Sequence, residues 1–435
     1  MSGKEIADKN GNMAITKKFL LLICFGASVY LKAQHILIPM DESQRNHLKA
    51  YGLTYWILEK GGEAEWLLNY RGGSFLLEQN KNIEKECIIR GITYENIPSI
   101  KVAQIMAELN HPEANMEAVK LLKAPKIAVY SPKSAQPWDD AVTLVLTYAE
   151  IPYDIVFDDE VLGSKLPEYD WLHLHHEDFT GQFGKFYASY SRMKWYQDQV
   201  REAEEMAAKH GFSKVADLKL AVAKKIRDFA LGGGFLFAMC SATDSYDIAL
   251  SADGIDICHQ VHDGDAADPN AQRKLDFNKT FAFKSFSLEP NPYVYEFSNI
   301  DSRPNHKPPV ISENNDYFAL FEFSAKFDLI PSLLTQNHTR IVKGFMGQTT
   351  AFDKNWVKSN VVVLGENKSL NEAKYIHGTI GKGFWTFYGG HDPEDYQHYV
   401  GEPPTDLSLS PNSPGYRLIL NNVLFPSAKK KKQKT

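Results

Sequence analysis

The stretch from Val215 to Ser245 constrains this chain more than any other. Val215 to Ala230 carries apolar residues at helical spacing, and Gly232-Gly233-Gly234 stops the helix. Phe235 to Met239 follows as an unbroken apolar run, the pattern of a strand buried on both faces. That run leads directly into Cys240, with small residues at Ala238 and Ala242, and a second helix then opens. Helix, apolar strand and helix in that order belong to a sheet with helices on both faces.

The same alternation begins upstream. Lys126 to Tyr130 reads as a strand, and Trp138 to Glu150 as an amphipathic helix with Asp139 and Asp140 in its first turn. Tyr153 to Phe157 and Tyr169 to His175 read as further strands. The fold class expected for residues 124–425 is therefore α/β, a doubly wound and mostly parallel sheet. Ligands of such sheets bind beyond the carboxyl ends of the strands. Insertions are expected at 178–211 and 259–360; the first is aromatic and placed to overhang that edge as a lid. From Phe277 the texture turns β-rich, with strands expected at Thr280 to Leu288, Tyr293 to Phe297, Tyr317 to Phe323, Val361 to Leu364 and Gly383 to Tyr388. Asn412 to Phe425 reads as a closing helix. An N-terminal α+β unit is expected over 35–123, with strands at His35 to Met40, Glu65 to Tyr70 and Gly73 to Glu78. Helical patterns there cover Ser43 to Glu59, Asn80 to Arg90 and Ser99 to Leu109.

Residues 1–33 read as a signal peptide: Lys17-Lys18, an apolar run from Phe19 to Leu31, then the small residue Ala33. Met13 directly precedes the lysine pair and is a second candidate start. The run is shorter than the roughly 20 residues that span a bilayer. The expectation is an exported protein, periplasmic or extracellular and soluble after cleavage, with no membrane span. A net charge of -6 argues against a nucleic-acid partner. The basic residues of the 426–435 tail are suited to touching an anionic surface. Cys87, Cys240 and Cys258 remain after the leader, an odd number in a body large enough to fold by burial, so no disulfide framework is expected.

Three segments carry residues suited to chemistry. Cys240, between an apolar strand and a helix, has the setting of a nucleophile elbow, in which a sharp turn exposes the thiol beside a helix N-terminus. Gly389-Gly390-His391-Asp392-Pro393-Glu394-Asp395 ends another strand; His391 has the type of a base and Glu394 that of the acid which orients it. Trp171 to Asp178 contains His173, His175 and His176. Strand alternation puts His173 and His175 on one face and His176 on the other, so no metal site is expected there. His175, His176, Glu177, Gly181, Ser241 and Asp395 are instead expected to line the cleft beside Cys240. A metal hydrolase built on His173, His175 and His391 is the rival that geometry can revive. Cys258 to Asp268 lacks the ligand spacing of a calcium loop and reads as a plain loop.

With these residues in order, residues 123–425 resemble the class I glutamine amidotransferase-like fold. That family places cysteine in a Gly-x-Cys-x-Gly elbow and histidine and glutamate in a late His-Pro-Glu motif. Here Ala238 and Ala242 stand for both glycines, and Asp392 adds a residue to the late motif. The resemblance implies Cys240 as nucleophile, His391 as base and Glu394 as orienting acid, with no cofactor. It implies cleavage of an amide or acyl bond in a small-molecule or peptide-like substrate. The chain is also similar, nearly end to end, to exported bacterial proteins labelled asparagine synthetase B, through His35-Ile-Leu-Ile-Pro-Met40, Tyr169 to Asp178, the Cys240 stretch and Gly389 to Tyr396. ATP-driven asparagine synthesis is not expected: no Ser-Gly-Gly-x-Asp-Ser loop is present, and no cysteine follows Met1 or Met13. The alternative is a non-catalytic binding or scaffold protein of the cell envelope with a degenerate site.

Overall fold

Five short apolar segments near the N-terminus pair into one antiparallel sheet. A computed structural model describes residues 34–134, 139–303, 312–397 and 399–429. Residues 1–33, where a signal peptide is expected, and residues 430–435 lie outside them. In chain order the first unit runs β1 (Gln34–Ile38), α1 (His47–Glu59), β2 (Ala64–Leu68), β3 (Ser74–Glu78), α2 (Lys81–Arg90), β4 (Glu95–Pro98), α3 (Ser99–Asn110) and β5 (Glu117–Leu121). Its sheet has the order β4-β1-β3-β2-β5. The edge strands β4 and β5 are not anticipated: β4 is four residues with Pro98 at its end, and charged Glu117 and Lys120 interrupt β5.

The body follows with β6 (Ile127–Tyr130), α4 (Ala141–Ala149), β7 (Asp154–Val156), β8 (Trp171–Leu174), α5 (Lys194–Lys209), α6 (Val215–Gly232), β9 (Phe235–Met239) and α7 (Ala242–Ser251). Then come β10 (Tyr317–Leu320), β11 (Ile341–Lys343), β12 (Phe352–Asp353), β13 (Val362–Asn367), β14 (Glu372–Ile380), β15 (Gly383–Tyr388) and α8 (Pro414–Leu424). The second sheet has the order β11-β10-β13-β14-β15-β9-β8-β6-β7, with β12 on β14. Strands β7, β6, β8, β9 and β15 are parallel neighbours.

The protein is thus mixed α/β, and the expectation of a mostly parallel sheet holds for one half only. β14 and β15 are joined by Gly381-Lys382, and two residues permit only an antiparallel return. The strands expected at Thr280 to Leu288 and Tyr293 to Phe297 are absent, leaving isolated bridges at Phe283 and Leu288. Asp247 explains the first loss. Its carboxylate accepts the amides of Phe281 (2.6 Å), Ala282 (2.7 Å) and Phe283 (3.0 Å), which a neighbouring strand would otherwise take. The basic tail also begins later than expected, since Leu122 donates to Ser427 O (3.0 Å) and Lys429 donates to Lys120 O (2.8 Å) along β5.

Side-chain alternation divides the body into two cores. Phe235, Phe237 and Met239 pack with α1, α4 and α8 through Tyr51, Val145 and Leu420. Leu236 and Ala238 pack on the other face with α6 and α7 through Val222 and Tyr246. The first core runs without a break into the N-terminal unit. Fully buried Arg417 of α8 donates to the carbonyls of Met40 (2.8 Å) and Gly72 and to the Tyr51 hydroxyl (3.2 Å). No helix among the described residues is long and apolar enough to cross a membrane.

Helices α1 and α4 meet at Gly52, where an added Cβ would lie 1.8 Å from the carbonyl oxygen of Ala149. Gly52→Ala is expected to lower unfolding free energy by about 3 kcal/mol, although alanine is the better helix former. Urea denaturation checks this, and an unchanged midpoint would contradict the close approach.

Candidate functional site

Parallel register brings three strand ends to one line. Leu174 of β8 pairs with Ala238, and Tyr388 of β15 pairs with Met239. The residues that follow are His175, Cys240 and Gly389, so all three segments expected to carry chemistry leave the sheet at its carboxyl edge.

Cys240 turns the chain from β9 into α7 in one residue. Its φ of 52° is left-handed, a region that costs a β-carbon-bearing residue about 1 kcal/mol and that glycine would take freely. Helical geometry begins at Ser241. Ala242 N donates to His175 O (2.9 Å) and Thr243 Oγ1 donates to Cys240 O (2.7 Å), which fixes the turn. Cys240 is only 3% exposed. Burial pushes its thiol up, while the backbone amides of Gln348, Thr349 and Ser241 act in the opposite direction by hydrogen bonding to the sulfur.

The amides of Gln348 and Thr349 arrive on the loop between β11 and β12. Gly390 N donates to Thr349 O (2.8 Å) and His391 N to Met346 O (2.7 Å), zipping this loop to the end of β15. Gly347 permits the approach, because a Cβ there would stand 2.8 Å from His391 N. Thr349 Oγ1 donates to Asp244 (2.9 Å), and Gln348 Nε2 donates to Gly184 O (2.7 Å) and Tyr295 O (2.9 Å). Buried Lys374 of β14 donates to the carbonyls of Phe345 and Thr350 (2.8 Å), holding both ends of the loop. Burial lowers its ammonium to about 7. The sequence carries only a weak signal for Lys374, a lysine in a strand that also contains Glu372, His377 and Thr379.

The histidines converge. Ring centroids are 4.2 Å apart for His175 and His391, 4.8 Å for His175 and His176, and 5.8 Å for His176 and His391. Strand alternation does not separate His175 from His176, because β8 ends at Leu174 and leaves both outside the strand. Asp140, at the N-cap of α4, lies 3.1 Å from His175 Nδ1 and 3.2 Å from His173 Nε2. Burial raises the Asp140 carboxyl, but His175 and His173 outweigh it and hold it well below the usual carboxylate range. His391 Nε2 lies 3.1 Å from the carbonyl oxygen of Asp139. A carbonyl only accepts, so Nε2 carries the proton and Nδ1 is the basic nitrogen.

Glu394 does not occupy the orienting position. It is exposed, and its carboxylate accepts from the Ser410 hydroxyl at 3.2 Å. The carboxylate beside the histidines is Asp140. Asp395 sits in the 392–395 turn and accepts the amide of Gln397 at 3.2 Å. Ser241 is fully buried behind Cys240. Glu177 and Gly181 face another cavity of ≈ 320 Å³, lined also by Asp178, Phe183, Met206 and Lys219. The cleft itself encloses ≈ 490 Å³ between Cys240, His176, His391 and the 346–348 backbone. Phe186, Ser189 and Tyr190 of the first insertion and Tyr293 and Tyr295 of the second form its walls. The three described cysteines are unpaired and buried.

The chain matches no family model and no curated protein. Among solved structures, a cytoplasmic protein from Salmonella typhimurium is 10% identical over 70% of this chain and 100% of that chain, at a TM-score of 0.34. A second cytoplasmic protein, from Salmonella typhimurium LT2, is 13% identical over 70% and 100%, at 0.33. A GH42 beta-galactosidase is 11% identical over 62% of this chain and 28% of its own, at 0.26. These likenesses carry no functional argument.

Two outcomes follow from the local geometry. Cys240→Gly is expected to be more stable than Cys240→Ala by about 1 kcal/mol, since both remove the thiol and only alanine keeps the left-handed strain. Equal urea midpoints would remove the strain argument. Burial raises Glu177 from 4.5 to about 7, with Lys219 opposing. The folded chain therefore holds a proton that the unfolded chain releases between those values, and stability falls as pH rises through that window. Glu177→Gln is expected to flatten the slope between about pH 5 and pH 8 by up to about 3 kcal/mol, read by denaturation at each pH.

Proposed function

We propose that this protein is an exported thiol hydrolase of the class I glutamine amidotransferase-like, doubly wound type, which cleaves an amide or related acyl bond with Cys240. The carrying observation is Cys240 itself, left-handed at a strand-to-helix turn and ringed by the amides of Ser241, Gln348 and Thr349. A non-glycine residue kept in that conformation beside an open cleft is the arrangement of a strained nucleophile. The lysine pair, apolar run and Ala33 of the leader support export.

In this reading His391 Nδ1 takes the Sγ proton, and the thiolate adds to the substrate carbonyl carbon. The amine leaves with the proton returned by the imidazolium, which forms a thioester. Water, deprotonated by the same imidazole, then releases the carboxylic acid and restores the thiol. Burial favours the neutral thiol at rest, so the reaction depends on His391. Asp140 stabilises positive charge on the histidine group through His175, the role the family's motif would give to Glu394. The aromatic walls, Phe186, Tyr190, Tyr293 and Tyr295, suit a small-molecule or peptide-like amide with an apolar portion.

Mature protein is treated with iodoacetamide across pH and assayed for amine release from a panel of amides. Label is expected on Cys240, which lines the cleft, and absent in Cys240→Ala, because Cys87 lies inside a hydrophobic core and the buried Cys258 thiol donates to Thr180 O (3.2 Å). His391→Ala is expected to lower turnover at least about 100-fold. Labelling that is unchanged in Cys240→Ala, or turnover that survives in it, sinks the reading.

A further inference from the structure

We propose that His175, His176 and His391 together bind one zinc-type divalent cation, with a coordination position open to the cleft. Each histidine offers one ring nitrogen, and these atoms all lie within 4.8 Å of one another. Zinc-nitrogen bonds of about 2.1 Å set tetrahedral donors roughly 3.4 Å apart, a gap that small ring rotations close. His175 is the fixed member, 1% exposed, and its Nε2 makes no hydrogen bond among the described residues. A buried imidazole in that state calls for a ligand.

The surroundings have the form of an outer ligand shell. Asp140 Oδ2 lies 3.1 Å from His175 Nδ1, and Asp139 O lies 3.1 Å from His391 Nε2. A carboxylate or carbonyl behind each ligating imidazole fixes its tautomer and raises its basicity. An all-imidazole donor set selects zinc, copper, nickel or iron over calcium or magnesium. His176 and His391 line the cleft, with His175 buried behind them, which leaves the fourth position for water or an anionic ligand.

Binding itself needs no chemistry at Cys240. One consequence rests on the hydrolase reading: a cation on His391 Nδ1 removes the base, so metal occupancy and thiol activation exclude one another. Zinc would then act as an inhibitor of the proposed reaction.

Full-length mature protein is stripped with chelator, dialysed, and titrated with zinc by calorimetry and with cobalt by absorption. One ion per chain is expected in the native protein and in Cys240→Ala. The cobalt spectrum is expected to be of the four-coordinate type without a thiolate charge-transfer band. His176→Ala, at a half-buried position, is expected to lose saturable binding while keeping the native circular dichroism spectrum. Asp140→Asn is expected to weaken binding about 10-fold or more. Absence of saturable binding to the native protein overturns the proposal without any variant. So does retained binding in His176→Ala, or a charge-transfer band that disappears in Cys240→Ala. Iodoacetamide labelling read in parallel keeps the two readings apart: binding without Cys240 activation removes only the hydrolase, and activation without binding removes only the metal site.

Discussion

The in-register parallel pairing of β8, β9 and β15 is the constraint on which the site depends. Because β9 and β15 end together at Met239 and Tyr388, and β8 ends one residue earlier at Leu174 beside Ala238, the next residues of three distant segments emerge side by side. A one-residue slip of a parallel strand would exchange its faces and move its apolar set between the two cores. Trp171, Phe237 and Met239 on one face and Leu172, Leu236 and Ala238 on the other are all buried, so both cores resist that slip. The hydrophobic content of the sheet therefore positions the cysteine and the histidines.

Around this edge the protein places polar groups that an apolar sheet would ordinarily exclude. Lys374 and Asp244 anchor the loop whose amides surround Cys240, one through carbonyls and the other through Thr349. Asp247 uses three amides to hold 281–283 in place as a loop. Buried ionisable groups are costly unless hydrogen-bonded. Each of these groups bonds to backbone, and each fixes an irregular segment that has no sheet or helix partner to define it.

Arg417 performs the same service between the two units. Its guanidinium reaches the carbonyls of Met40 and Gly72, so the last helix and the first sheet share one core. Strands β1 to β5 form a sheet of their own, and its apolar face is closed by α1 against α4 and α8.

The sequence by itself determined the local framework. Apolar runs and glycine stops located β9 and β15 to the residue, and β6, β8 and α6 nearly so, because burial on both faces leaves an unmistakable pattern over a few positions. It also placed Cys240 at a strand-to-helix junction and His391 just past a strand end. Tertiary structure decided the rest. Nothing near Cys240 in the chain predicts that the amides of Gln348 and Thr349 surround its sulfur, or that Asp140 takes the place expected for Glu394. Alternation separated His175 from His176, yet the strand stops one residue before them and their rings meet His391. Periodicity describes residues inside an element. The site is made of residues just beyond element ends, where direction is set by register, turn geometry and buried hydrogen bonds to distant backbone.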